Sequence, residues 1–118
     1  YQRDPMHNLS HGATAMQVAR LYYLMETGQI VDGELQKEMK SMLGEPGITH
    51  KFVKGLADYP DVDIYRKSGS WKQWHGDSAI VESGDTRYIV VGLAEDANGG
   101  AWLSRMIKPI HESMMPGP

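Results

Sequence analysis

Six consecutive residues, Arg66-Lys67-Ser68-Gly69-Ser70-Trp71, put cations, two hydroxyls and a glycine at the end of one apolar strand-like run, and two more such runs follow. A strand end of this make-up reads as an active-site strand. On residue types alone a plainer account competes: Lys67 as a solvated strand lysine, and Ser68, Gly69 and Ser70 as a strand terminus running into a turn. His75 and Asp77 follow closely and could form a catalytic or metal pair. No third ligand is spaced to join them, so His75 is expected to cap the turn or hydrogen-bond beside the site. His7, His11, His50 and His111 are scattered, and neither a metal nor a cofactor is expected. Trp71 and Trp74 could offer a sugar an aromatic platform, although packing across the strand turn is the plainer role. The eight methionines sit mainly at helix core positions and read as packing.

The elements that must position this tract can be read from period and punctuation. Residues 1–13, rich in Pro, His, Asn, Ser and Gly, form an extended lead-in loop. A helical part spans 14–60. Thr14 with Gln17 makes a capping-box pattern and Gly28 follows Thr27 as a C-terminal cap, bounding a first helix whose apolar residues wrap most of its circumference. Asp32 as N-cap opens a second helix ending at Gly44, with Leu35, Met39, Met42 and Leu43 on the buried face. Glu45-Pro46-Gly47 is a turn, and one or two helical turns are expected between Thr49 and Leu56.

From 61 to 96 the period becomes two. Strands are predicted over Val62 to Ser70, Ser78 to Glu82 and Thr86 to Ala94, with Ser83-Gly84-Asp85 as a tight turn. Residues 98–115 close the chain with an amphipathic helix, kinked near Pro109. The fold class is therefore α+β, a three-stranded antiparallel sheet with flanking helices. Tyr88 to Ala94 is apolar on both faces, as in a strand covered from both sides, yet a three-stranded meander leaves it at an edge. A partner layer and a neighbouring strand are expected beside it.

Composition bounds the rest. A chain of 118 residues carrying a formal charge of −3 and no cysteine suits one globular domain without disulfides or thiolate metal sites. The dispersed lysines and arginines give no footprint for nucleic acid or an anionic membrane surface, and no apolar stretch reaches the roughly 20 residues of a membrane span. The sequence begins at Tyr1 rather than Met, which suggests a piece of something longer.

Taken in order, these features resemble the C-terminal part of a class A β-lactamase-like protein, of the serine β-lactamase and penicillin-binding protein superfamily. The matching features are Arg3-Asp4-Pro5, the Thr14-capped helix, Thr27-Gly28, Lys67-Ser68-Gly69-Ser70-Trp71, the His75-Gly76-Asp77 start of the next strand and the closing helix. The resemblance implies a partial fold without the N-terminal strands and the nucleophile-bearing helix. No Ser-x-x-Lys, Ser-Asp-Asn or Ser-x-Asn occurs in the 118 residues.

By that resemblance, Lys67 would set a cation near the carboxylate of a β-lactam or peptidoglycan stem peptide, and Ser68 would hydrogen-bond it. Gly69 would leave room for the substrate's acylamide, and the Ser70 backbone N–H would be one oxyanion-hole donor. Trp71, where many class A enzymes have a small residue, would shape the pocket. The chain alone would be inactive, and its partners would be the missing N-terminal part and a small β-lactam or peptide substrate. In isolation it is expected to form a homo-oligomer. Periplasmic or secreted location is implied by resemblance only. A non-catalytic domain binding cell-wall peptide or protein, and a glutaminase of related fold, are the alternative readings.

Overall fold

A computed structural model describes residues 13–44 and 50–116. The lead-in loop with Arg3-Asp4-Pro5, His7 and His11, and the turn at Glu45-Pro46-Gly47, lie outside the described residues. Thr14 caps the first helix, α1 (Ala15–Glu26), through the reciprocal pair expected of a capping box: Gln17 N donates to Thr14 Oγ1 at 3.1 Å and Thr14 N to Gln17 Oε1 at 2.9 Å. Gly28, at φ 74°, takes the left-handed step that ends it. The second helix, α2 (Gly33–Leu43), starts after Asp32, whose side chain makes no capping hydrogen bond. A single turn, α3 (Phe52–Gly55), then precedes the sheet.

The sheet is a meander of β1 (Asp63–Trp71), β2 (Trp74–Ser83) and β3 (Thr86–Glu95) in the order β1-β2-β3. Two-residue turns fix its register: Lys72-Gln73, with Lys72 at φ 53°, leaves Trp71 opposite Trp74, and Gly84-Asp85, with Gly84 at φ 60°, leaves Ser83 opposite Thr86. The last helix, α4 (Gly99–Met114), runs through Pro109.

Alternation along β2 divides the core. Ala79 and Val81 point to one face, where they pack with Phe52, Leu56, Tyr88, Leu103 and Ile107 beneath α3 and α4. Ile80 points to the other, against Tyr22 and Met25 of α1. Close packing of α3 on α4 requires a glycine, because a Cβ on Gly55 would lie 2.1 Å from the Ser104 carbonyl oxygen. On the opposite face Lys40 ties α2 to its neighbours: its Nζ donates to Glu26 at 2.8 Å and to Glu82, and it lies 4.7 Å over the Tyr65 ring.

Several expectations about burial need correction. The strand covered on both faces is β2, whose Ala79, Ile80 and Val81 are fully buried; β3, the more apolar sequence, is the half-buried edge. Leu35 and Met42 of α2 are exposed, because only Met39 and Leu43 reach the α1 side of the core. Met16, Leu21 and Tyr23 leave much of the apolar circumference of α1 open, and Met106 and Met114 are also exposed, so half of the methionines are not packing residues within this chain. The second strand begins four residues earlier than predicted, at Trp74, because the β1–β2 connection is only two residues long.

Candidate functional site

Side chains of β1 alternate across the sheet. Ser68 and Ser70 point toward α3, where both hydroxyls accept from one ammonium: Lys51 Nζ lies 2.9 Å from Ser68 Oγ, 2.9 Å from Ser70 Oγ, 2.9 Å from the Gly69 carbonyl oxygen and 3.0 Å from that of Gly76. Four acceptors thus surround a group with three protons. Lys51 is buried, and burial pushes its pKa down; the neighbouring Asp77 carboxylate opposes this, while Arg66 and Lys67 add to it. Its backbone, at φ 53° and ψ −119°, occupies a region that suits glycine and costs other residues about 1–3 kcal/mol.

That conformation is pinned from behind. Asp77, wholly buried, accepts from Phe52 N at 3.1 Å and Ser78 N at 3.1 Å, and pairs with Arg66 Nε at 3.1 Å. Arg66 also reaches His50 Nδ1 at 2.7 Å. Ser104 of α4 donates to the Lys51 carbonyl at 2.8 Å. His75 lies 3.4 Å from Ser70 Oγ through Nδ1, and a Cβ on Gly99 would lie 2.9 Å from its ring, so the N-terminus of α4 is seated on it. Together His50, Lys51, Lys54, Ser70 and His75 line a recess of about 300 Å³.

Lys67, Gly69 and Trp71 belong to the other face and are exposed. Lys67 Nζ donates to the Ser68 carbonyl at 2.6 Å, which keeps the ammonium at the outer edge of β1. The Lys67 carbonyl accepts from Ser78 Oγ at 3.0 Å, and Tyr22 OH hydrogen-bonds that hydroxyl at 2.9 Å, so α1 anchors the strand at the lysine. Burial raises the Tyr22 pKa. Lys67 also borders a largely apolar cavity of about 300 Å³ between α1 and α2, lined by Val18, Tyr22, Met25 and Met39 among others. A Cβ on Gly69 would meet nothing within 4 Å. Neither packing nor a left-handed backbone demands glycine there.

The structure therefore gathers Lys67, Ser68, Gly69, Ser70 and His75 at one end of the β1–β2 hairpin. Lys67 and Ser68 lie on opposite faces, so a single ligand meets both only along the free edge of β1. Trp71 stands opposite Trp74 with both rings exposed and Lys72 Nζ 5.7 Å from the Trp71 ring centre. Lys51 was not singled out from the sequence. The acceptors of its ammonium lie 17 to 25 residues away, and no local spacing signals them. Among the described residues no cluster of His, Cys, Asp and Glu could hold a metal ion, and no helix is long and apolar enough to cross a membrane.

Comparison with known proteins bears on the fold that carries these residues. The model of the beta-lactamase enzyme family matches residues 3–110. No curated protein matches the sequence. Among solved structures, PBP-A aligns with a TM-score of 0.67 at 18% identity, over 82% of this chain and 39% of that one; its variant solved as an acyl-enzyme complex with penicillin G aligns equally. A beta-lactamase from Sphaerobacter thermophilus DSM 20745 aligns with a TM-score of 0.74 at 14% identity, over 95% of this chain and 45% of that one. The chain spans less than half the length of these structures, and at such identities the likeness is one of fold. With the family model matched over nearly all of its length, the chain belongs to the beta-lactamase enzyme family and forms an α+β part of that fold.

Proposed function

We propose that this chain supplies one wall of an acyl-transfer site acting on a β-lactam or a D-alanyl peptide in a serine hydrolase whose nucleophile lies outside these 118 residues. The free edge of β1 receives the substrate. Lys67 provides a cation to its carboxylate, Ser68 a hydroxyl, and the Ser70 backbone N–H one oxyanion-hole donor; such a donor contributes about 3 kcal/mol to the tetrahedral intermediate. Trp71 borders the pocket, and His75 supports Ser70 from beside the site. The attacking serine and its base come from the remainder of the protein, since the Ser-x-x-Lys that the resemblance calls for does not occur in the 118 residues.

Gly69 carries this reading. An exposed strand glycine that no neighbour crowds and no positive φ requires weakens the strand for no internal gain. A ligand lying against β1 supplies the missing reason. In the full-length protein, Gly69→Val is therefore expected to leave thermal stability unchanged or slightly raised while slowing acylation by penicillin G at least tenfold. Unchanged acylation would remove the substrate from this strand. A full-length protein that binds the peptide but never acylates would favour the non-catalytic binding domain instead.

A further inference from the structure

The tip of the β1–β2 hairpin carries two indoles that stand largely open to solvent. Trp71 is 70% exposed and Trp74 52%, and because the two are opposite in register their side chains leave the sheet on the same face. A cross-strand indole pair steadies a hairpin, but this tip has restraints of its own. Lys72, at φ 53°, opens the two-residue turn, and Asp96 N donates to the Gln73 carbonyl at 2.8 Å, which ties the turn to the end of β3. The backbone thus sets where the rings stand, and their faces remain available.

What such a platform binds follows from its rim. Glu95 is opposite Trp74 and so shares its face, and its carboxylate accepts from Gln73 Nε2 at 3.1 Å. Lys72 Nζ stands 5.7 Å from the Trp71 ring centre. One ammonium and one carboxylate offset each other, so the rim attracts neither a polyanion nor a polycation. It offers an amide and a carboxylate beside electron-rich ring faces. A neutral pyranose complements both parts: its face of polarised C–H groups meets the negative face of an indole, and its edge presents hydroxyls to the amide and carboxylate. An N-acetylated amino sugar keeps the ring neutral and adds an acetamide of its own.

The platform is also continuous with the candidate wall. Trp71 lies on the same face as Lys67 and Gly69, and Gly69 is opposite Gly76, so β1 and β2 carry no side chain between the lysine row and the indoles. Four strand residues separate Lys67 from Trp71, about 13 Å, which a peptide of about four extended residues spans.

We propose that Trp71 and Trp74, rimmed by Gln73 and Glu95, form a saccharide subsite that stacks a neutral N-acetylhexosamine, and that the peptide taken by the wall is one joined to sugar. The link to a peptide rests on the acyl-transfer reading above; the sugar binding does not.

The probe is the β-1,4-linked trimer of N-acetylglucosamine, titrated into the full-length protein by calorimetry and followed by the indole N–H signals of Trp71 and Trp74. Saturable binding at about millimolar concentration that shifts both signals is expected, and Trp74→Ala should weaken it about tenfold. Glu95→Ala, which keeps both indoles, should weaken it by a smaller factor and carries the test should Trp74→Ala not fold. In turnover, a disaccharide attached to a D-alanyl peptide should raise kcat/KM about tenfold through KM, and Trp74→Ala should erase that gain. No binding of the trimer by the full-length protein overturns the proposal, including the case in which only the isolated chain binds it, because the rest of the protein then covers the indoles. Binding that both variants leave unchanged overturns it as well. Trimer binding at the indoles with peptide turnover that the attached sugar does not improve would overturn the link between subsite and wall. Trimer binding with no turnover of any peptide supports the subsite and overturns the acyl-transfer reading alone.

Discussion

Lys67 and Lys72 are five residues apart on one hairpin, both exposed, yet only Lys67 is held at the edge of β1 by its bond to the Ser68 carbonyl. If the wall reading is right, Lys67→Ala in the full-length protein lowers kcat/KM for an anionic substrate by about one to two decades, and Lys72→Ala by far less. Equal small effects would count against the assignment. The gathering of Lys67, Ser68, Gly69, Ser70 and His75 was legible because those residues are local: one strand end and the start of the next, joined by a tight turn. Lys51 was not legible. Its place depends on a strained turn braced by a buried carboxylate and a helix serine, none of which leaves a trace in local spacing. Trp71 and Trp74 stand opposite each other across the turn, as read, with both rings largely open to solvent.

At the scale of elements, capping and turn chemistry carried the reading furthest. Thr14 with Gln17 and Gly84-Asp85 state their geometry in two or three residues, whereas burial depends on which strand is central, and that is decided by pairing. Asp77 is the residue through which β1, β2 and α3 are locked, since it takes Arg66 from one strand and the Phe52 amide from the helix. Asp77→Asn preserves size but removes the carboxylate from a buried ion pair and from its bonds to the Phe52 and Ser78 amides, and a loss of about 3–5 kcal/mol in unfolding free energy by urea titration is expected. A change below about 1 kcal/mol would show that the ion pair is not the lock. A second buried pair joins α4 to β3. Tyr88 OH lies 2.7 Å from His111 Nδ1, burial lowers the His111 pKa below 6.5, and burial raises that of Tyr88 from 10.0 to about 12. Above pH 6.5 His111 is thus neutral in the fold, and the Glu112 carboxylate opposes that shift. Its contribution is present in full above pH 6.5 and is lost as pH falls from there through the depressed folded value, because the unfolded chain takes up a proton that the folded chain refuses. Tyr88 acts at the other end: stability declines from pH 10 toward about 12, where only the unfolded tyrosine has ionised. Thermal melts across both windows should show a plateau between them, and His111→Gln should flatten the acid limb.

For the molecule as a whole, the fold class was legible and its open sides were partly so. The apolar run of β3 signalled a missing neighbour, and β3 is indeed an edge; the apolar circumference of α1 signalled a missing layer, and Met16, Leu21 and Tyr23 are exposed. The radius of gyration, 15.0 Å, exceeds the roughly 13 Å of a closed domain of this size. An unprotected apolar edge pairs readily, so the isolated chain is expected to be dimeric or larger by light scattering at micromolar concentration. A stable monomer with slow amide exchange along Tyr88 to Leu93 would show a self-sufficient domain and weaken the view that half of a site is held here. The central claim, that this chain contributes a wall and the rest of the protein the nucleophile, is tested most directly by intact-mass measurement after incubation with penicillin G. The account predicts one acyl group on the full-length protein, carried by a serine outside residues 1–118, and none on the isolated chain. A stoichiometric adduct on any serine of the 118 residues would contradict it.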